Sequence, residues 1–116
     1  MDEATDETPV IIVVILTLRT GASDSFREYE TQAARIMSRY GGVIERSVVV
    51  EPFDDGEPAR EVHVLTFPDQ ERFASYRTDP DLAALAGLRL ASITQTEVLI
   101  GREGPDYSAL TRSCGL

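Results

Sequence analysis

The first hydrophobic segment is a continuous apolar block that follows Pro9 and a mostly polar and acidic stretch at residues 1–8. It runs from Val10 to Leu16, is mostly β-branched, and is followed by Gly21. A short β-branched block without alternation is typical of a strand that is buried on both faces. We therefore predict a central strand here.

A helical pattern covers residues 25–40. Apolar side chains recur at steps of three and four and form a single stripe, as expected for a helix with one buried face. Ser25 followed by Glu28 matches a capping box, which predicts that Ser25 is the N-cap. Gly41-Gly42 comes directly afterwards and is expected to end the helix.

Two further apolar segments form a predicted β-hairpin. Residues 43–50 and 61–67 have strand composition, and the stretch 52–58 between them contains Asp54-Asp55-Gly56, a turn signal. The hairpin therefore supplies the second and third strands.

The last third of the sequence predicts two helical pieces and a strand. Asp69 is placed to cap a short helix that carries Phe73 and Tyr76, and Asp79-Pro80 begins another helix with aspartate at the N-cap and proline at the first position. Residues 94–100 then form the final strand.

This element order predicts an α+β domain with ferredoxin-like βαββαβ topology. Right-handed crossovers place both helical parts on one face of a four-stranded antiparallel sheet. We assign residues 9–101 to the domain, 1–8 to a disordered acidic tail and 102–116 to a C-terminal tail.

The second face of the sheet is also apolar. Ile11, Val13 and Ile15 alternate with the other apolar residues of strand one, and Val62 and Val64 do the same in strand three. Because monomers seldom leave such a face in water, we predict a homodimer in which two sheets pair into a barrel.

The composition of the chain limits the classes of binding partner and the cellular location that we expect. The net charge is -9, and all 11 basic residues are arginines. Because these arginines do not form a basic stripe, we expect no nucleic-acid partner. Cys114 is the only cysteine, so no CxxC site exists, and we expect no metal and no cofactor. No segment is long enough to span a membrane and no basic leader is present, so we expect a cytoplasmic protein.

Several short motifs resemble the dimeric α+β-barrel superfamily, and most closely its small uncharacterised stress- and antibiotic-biosynthesis-monooxygenase-like branch. They span residues 10–101 and are Tyr29, Arg39-Tyr40-Gly41-Gly42, Thr66-Phe67-Pro68, Tyr76 and Asp79-Pro80. The resemblance implies a ferredoxin-like dimer with a pocket for a small molecule. The chain departs from the family pattern at Thr66, where that branch usually has glutamate, and it has no Asn and no Trp.

His63 is the candidate catalytic residue, because it is the only histidine and shares a strand face with Leu65 and Phe67. An imidazole can transfer protons near neutral pH, although a half-exposed strand histidine without a role fits the same pattern. The candidate ligand-binding residues are Tyr29, Tyr40, Thr66 and Tyr76.

Other residue patterns leave alternatives open. The tyrosines fit ordinary packing equally well. Arg19 and Arg46 either hold a carboxylate ligand together or lie at solvated strand ends, and Arg89 has the same two interpretations.

Two functions fit this sequence. In the first, the domain binds a small apolar or aromatic metabolite and performs cofactor-independent oxidation, isomerisation or proton transfer. In the second, it is a non-catalytic dimer that binds a ligand or a protein partner, or that only stabilises a larger complex. A cavity lined by His63 and tyrosines favours the first function, and a filled core favours the second.

Overall fold

The computed structural model describes residues 8–52 and 56–108 of the chain. The strands are β1 (Val10–Leu18), β2 (Val43–Val50), β3 (Arg60–Phe67) and β4 (Ile93–Gly101). The helices are α1 (Ser23–Ser38), α2 (Gln70–Arg77), α3 (Pro80–Ala83) and α4 (Ala86–Ser92). The predicted N-terminal tail apart from Thr8, the turn residues Asp54 and Asp55, and Cys114 lie outside the described residues.

The four strands form one antiparallel sheet with the order β2-β3-β1-β4. The most apolar strand, β1, therefore has a neighbour on each side, as its composition predicted. This order and the βαββαβ succession confirm the ferredoxin-like α+β fold. No helix in the described part of the chain is long and apolar enough to cross a membrane.

The core lies between the sheet and the helices, on the side to which alternate residues of β1 point. Ile12 and Phe67 are fully buried at its centre, and Ile36 and Met37 of α1 pack against the same cluster. A second cluster joins Leu16 of β1 to α1 and to the start of β4. Since strand residues alternate between faces, the side chains between these positions lie on the opposite face of the sheet.

Helix α1 begins earlier than the capping box predicted, and that prediction is wrong. Its N-cap is Ala22, no side chain caps it, and Ser25 lies inside the first turn. Gly21 adopts a φ of 75° directly before this point, and the Phe26 amide donates to the Ala22 carbonyl oxygen at 2.9 Å. The tight turn at glycine thus starts the helix two residues before the serine.

The end of α1 depends on two glycines for two different reasons. Gly41 has a φ of 74°, a left-handed conformation that glycine adopts readily. Gly42 is buried, and a Cβ atom there would overlap the side chains of Met37 and Phe67. The first glycine turns the chain, and the second lets β2 begin against the core.

The predicted caps of the later helices are confirmed. Asp69 accepts a hydrogen bond from the Arg72 amide at 2.8 Å, and Asp79 accepts one from the Asp81 amide at 2.7 Å. Pro80 is at the start of α3, as predicted. The predicted continuous helix after Pro80 is instead divided into α3 and α4.

Asp79 also connects this region to the end of α1. Its carboxylate is buried and accepts hydrogen bonds from the Tyr40 hydroxyl at 2.5 Å and from Arg39 at 3.3 Å. The Tyr40 hydrogen bond is the main reason that the pKa of Asp79 is lowered, and it raises the pKa of Tyr40. The contact therefore holds the α3–α4 segment over the sheet.

Substituting Gly42 by Ala should lower the free energy of unfolding by about 1–3 kcal/mol, because the new methyl overpacks a filled core. The matched control is Gly87→Ala in α4, where a Cβ meets no atom within 4 Å. That change should stabilise the protein by roughly 0.5–1 kcal/mol through better helix propensity. Urea denaturation measures both values, and equal effects of the two substitutions would contradict the packing described for Gly42.

Candidate functional site

A cavity of about 330 Å³ lies between the sheet and the helices. Its apolar walls come from the strands, from α1 and from the segment α2–α4, and include Val14, Met37, Leu65, Phe73, Leu82 and Val98. Arg77, Ala83 and Ala86 also line it and are exposed, which places the opening beside α2 and α3. The core below the helices is thus not filled.

His63 lies on the wall of this cavity and is only 5% exposed. His63 shares one face of β3 with Leu65 and Phe67, as predicted, and this face is the one that meets the helices. Its Nε2 is 2.7 Å from Glu61 Oε1, and its Nδ1 is 3.5 Å from Glu30 Oε1. The imidazole therefore lies between two carboxyl groups.

These contacts give the two ring nitrogens different roles. When Glu61 is ionised it accepts a hydrogen bond from Nε2, which fixes the tautomer of a neutral imidazole. Nδ1 is then the basic nitrogen, on the side of Glu30. An oriented imidazole whose second nitrogen can accept a proton is the arrangement that general base catalysis requires.

Glu30 is the second ionisable group beside His63. Burial raises the pKa of its carboxyl group, partly offset by attraction to His63. Glu30 and His63 line both this cavity and a groove formed by α1, β2 and β3, and Glu61 lines that groove. The row Glu61–His63–Glu30 therefore connects the groove with the cavity.

Two of the predicted ligand-binding tyrosines lie at the cavity. Tyr29 is buried, and its hydroxyl accepts a hydrogen bond from Arg89 at 3.2 Å. Tyr76 is also buried, and its ring contacts that of Phe67 with 5.5 Å between centroids. Burial raises the pKa of the Tyr76 phenol, which therefore stays protonated.

The other two predicted ligand-binding residues lie elsewhere. Tyr40 does not line the cavity and instead donates to Asp79. Thr66 is on the opposite face of the sheet, beside Ile11 and Val64 in a surface groove. The structure thus brings together His63, Tyr29 and Tyr76, and separates them from Tyr40 and Thr66.

Three polar residues near His63 or in the cavity were not predicted as site residues. Glu61 is two residues before His63 and shares its strand face by simple alternation. Glu30 is an acid next to the apolar stripe of α1, directly after buried Tyr29. Arg89 was left open between holding a carboxylate ligand and being solvated, and no sequence pattern indicates that its guanidinium reaches Tyr29 and Thr96.

The structure does not bring together Arg19 and Arg46, the other two arginines that we considered as residues holding a carboxylate ligand. Arg19 donates from Nε to the Leu90 carbonyl oxygen at 3.0 Å and is exposed. Arg46 is exposed on β2, opposite Val64 of β3. The structure therefore places Arg89, and neither Arg19 nor Arg46, at the cavity.

Comparison with known proteins gives matches only among solved structures. No family model matches the chain, and no curated protein matches it. A protein of unknown function from Rhodopseudomonas palustris superposes with a TM-score of 0.71 at 15% identity, covering 86% of this chain and 85% of that one.

Two further structures superpose over most of their length. SnoaB, a cofactor-independent oxygenase from Streptomyces nogalater, has a TM-score of 0.62 at 18% identity, covering 85% of this chain and 96% of its own. A dimeric protein of unknown function with a ferredoxin-like fold from Bacteroides fragilis has a TM-score of 0.59 at 14% identity, covering 82% and 96%. At these identities the shared property is the fold, and the ferredoxin-like fold that the resemblance implied is confirmed.

Glu30→Gln should change how stability depends on pH. Because the pKa of Glu30 is raised on folding, the folded state keeps its proton at pH values where the unfolded state has lost it. The stabilisation that this raised pKa gives to the folded state is therefore fully present below the ordinary pKa of 4.5. It is lost as the pH rises through the pKa that Glu30 has in the folded state.

Urea denaturation across this pH range measures the difference between wild type and Glu30→Gln. We expect wild type to lose stability relative to the variant as pH rises. The control Glu28→Gln removes a carboxylate from the exposed side of the same helix. A pH-independent difference between wild type and Glu30→Gln would contradict the burial effect.

Proposed function

We propose that this domain binds a small apolar or aromatic metabolite in the cavity and catalyses cofactor-independent proton transfer from it, with His63 as the base. The observation that carries the proposal is the buried imidazole on the wall of an apolar cavity, with Glu61 2.7 Å from its Nε2. A solvated or merely structural histidine does not need an adjoining cavity.

The proposed chemical step is removal of a proton from an acidic C–H group of the ligand by Nδ1 of His63. The C–H electron pair stays on the ligand as an enolate or an equivalent anion, and the ionised Glu61 stabilises the resulting imidazolium. A general base in such a position contributes about 10²–10⁴-fold to a rate. This step is shared by isomerisation and by cofactor-independent oxidation, the activity named for SnoaB.

The cavity agrees with a small ligand of this kind. Its volume of about 330 Å³ is at the lower end of the roughly 300–1,000 Å³ that ligand pockets usually have. Aromatic and aliphatic side chains form most of its wall, so a flat apolar molecule can replace the water inside it.

The functional unit in this proposal is a homodimer that pairs the open sheet faces. Val13 and Ile15 of β1 and Val64 of β3 are only half-buried there, and Leu99 is 51% exposed. These residues form a continuous apolar surface on neighbouring strands, because Val13 is paired with both Val64 and Leu99. The dimeric neighbour from Bacteroides fragilis supports this assembly.

A model reaction tests the base without knowledge of the natural substrate. The ring of 5-nitrobenzisoxazole opens when a base removes the proton on C3. The C–H electrons form a nitrile and the N–O bond breaks, releasing a coloured phenolate. We expect wild type to accelerate this reaction and His63→Gln to lower its kcat/KM by about 10²-fold or more.

Glu28→Gln is the control for this assay, because it leaves the cavity unchanged. Circular dichroism verifies that His63→Gln is folded. Unchanged activity in His63→Gln would exclude His63 as the base. Binding of the probe without acceleration by wild type would instead support the non-catalytic ligand-binding function.

Val13→Glu should convert the proposed dimer into a monomer, because it places two carboxylates in a sheet-to-sheet interface of an already acidic protein. The matched control is Val49→Glu, a substitution on the other sheet face at a residue that is 60% exposed. Size-exclusion chromatography with light scattering measures both masses. A monomeric wild type, or a dimeric Val13→Glu variant, would refute this interface.

A further inference from the structure

Arg89 lines the cavity from α4 and is half-buried. One terminal nitrogen donates to Thr96 Oγ1 at 2.6 Å, and the other donates to the Tyr29 hydroxyl at 3.2 Å. Its guanidinium carbon lies 5.9 Å from the centre of the Tyr29 ring. The guanidinium is therefore held in one orientation by α1 and β4.

The hydrogen-bond partners of this cation are neutral hydroxyl groups. Its nearest electrostatic effect on an acid is on Glu30, where burial raises the pKa and Arg89 partly lowers it again. Within residues 8–52 and 56–108, Arg39 and Arg72 form ion pairs with aspartates, whereas Arg89 has no carboxylate within 4.0 Å. A guanidinium carries five N–H donors, and the two contacts to hydroxyl groups leave others available. Because the guanidinium is half-buried and still has N–H donors that no carboxylate occupies, it can bind an anionic group in the cavity.

We propose that Arg89 is the anchor for the carboxylate of a planar aromatic acid that occupies the cavity. Arginine suits this role because its fork of donors matches both oxygens of a carboxylate. The inference rests on the proposed ligand-binding function and adds the class of ligand, an aromatic carboxylate instead of an uncharged metabolite.

The spacing between the strands indicates the size of ligand that fits between Arg89 and His63. Leu16 of β1 is paired with Thr96 on one side and with Glu61 on the other. Two strand spacings therefore separate Thr96, which holds Arg89, from the strand of His63, about 10 Å in total. A fused two-ring acid spans such a distance, with its carboxylate at Arg89 and its far ring near His63.

Because the protein is strongly acidic, a preference for an anionic ligand is a specific test of the donors inside the cavity. With a net charge of -9, the protein as a whole repels an anionic ligand. A preference for the anion must therefore come from local donors in the cavity. Arg77 also lines it, although its guanidinium lies over the Phe73 ring at 5.3 Å and is exposed.

Isothermal titration calorimetry with 2-naphthoate and its uncharged analogue 2-naphthamide tests the inference on the full chain. We expect wild type to bind the carboxylate at least 10-fold more tightly than the amide. Arg89→Gln should remove this preference by weakening binding of the carboxylate far more than binding of the amide, and Arg89→Lys should retain part of the preference. The control Arg35→Gln removes a positive charge from the exposed side of α1 and should retain the preference.

The possible results separate this inference from the proposed function. Equal binding of both compounds by wild type, or an undiminished preference in Arg89→Gln, would overturn the role of Arg89. The ring-opening assay tests the role of His63 separately. Absence of binding by either compound would overturn the assignment of an aromatic acid as the ligand, and the ring-opening assay would still test the proposed function independently. His63→Gln should keep the carboxylate preference, because recognition and proton transfer are assigned to different residues. Should Arg89→Gln fail to fold, Arg89→Lys and the comparison of the two ligands on wild type decide the question.

Discussion

Burial of the central strand β1 organises this molecule. Its hydrogen bonds to β3 and β4 fix the sheet, and its helix-facing residues Ile12 and Leu16 belong to the two hydrophobic clusters under α1. Since the same pairing determines which residues of β3 and β4 face the helices, it also places His63 and Thr96 on the inner side. The position of the candidate site is thus a consequence of how β1 is buried.

A second constraint keeps the space under the helices open. Asp79 caps α3 and at the same time accepts hydrogen bonds from Tyr40 and Arg39 at the end of α1. The division into α3 and α4 then lets Leu82 and Arg89 reach the cavity from separate short helices. Arg39 and Tyr40 therefore hold the α3–α4 segment in place from outside the cavity and do not line it.

The polar groups of the cavity divide into two sets with complementary chemistry. Glu61, His63 and Glu30 form a row that can accept and pass a proton. Arg89, fixed by Tyr29 and Thr96, supplies hydrogen-bond donors and positive charge. Apolar side chains such as Val14 and Phe73 lie in the same wall, and low polarity strengthens both kinds of electrostatic interaction.

The sequence by itself determined the features that depend on local patterns. Strand alternation, the caps at Asp69 and Asp79 and the order of elements led to the fold and to the face on which His63 lies. The start of α1 was missed because a turn at Gly21 overrode the capping preference of Ser25. Only the tertiary structure decided that Glu30 lies beside His63, that Arg89 meets Thr96, and that Tyr40 contacts Asp79 instead of a ligand. These pairs join different elements, and their distances depend on how helices pack over the sheet, which no periodicity along the chain encodes.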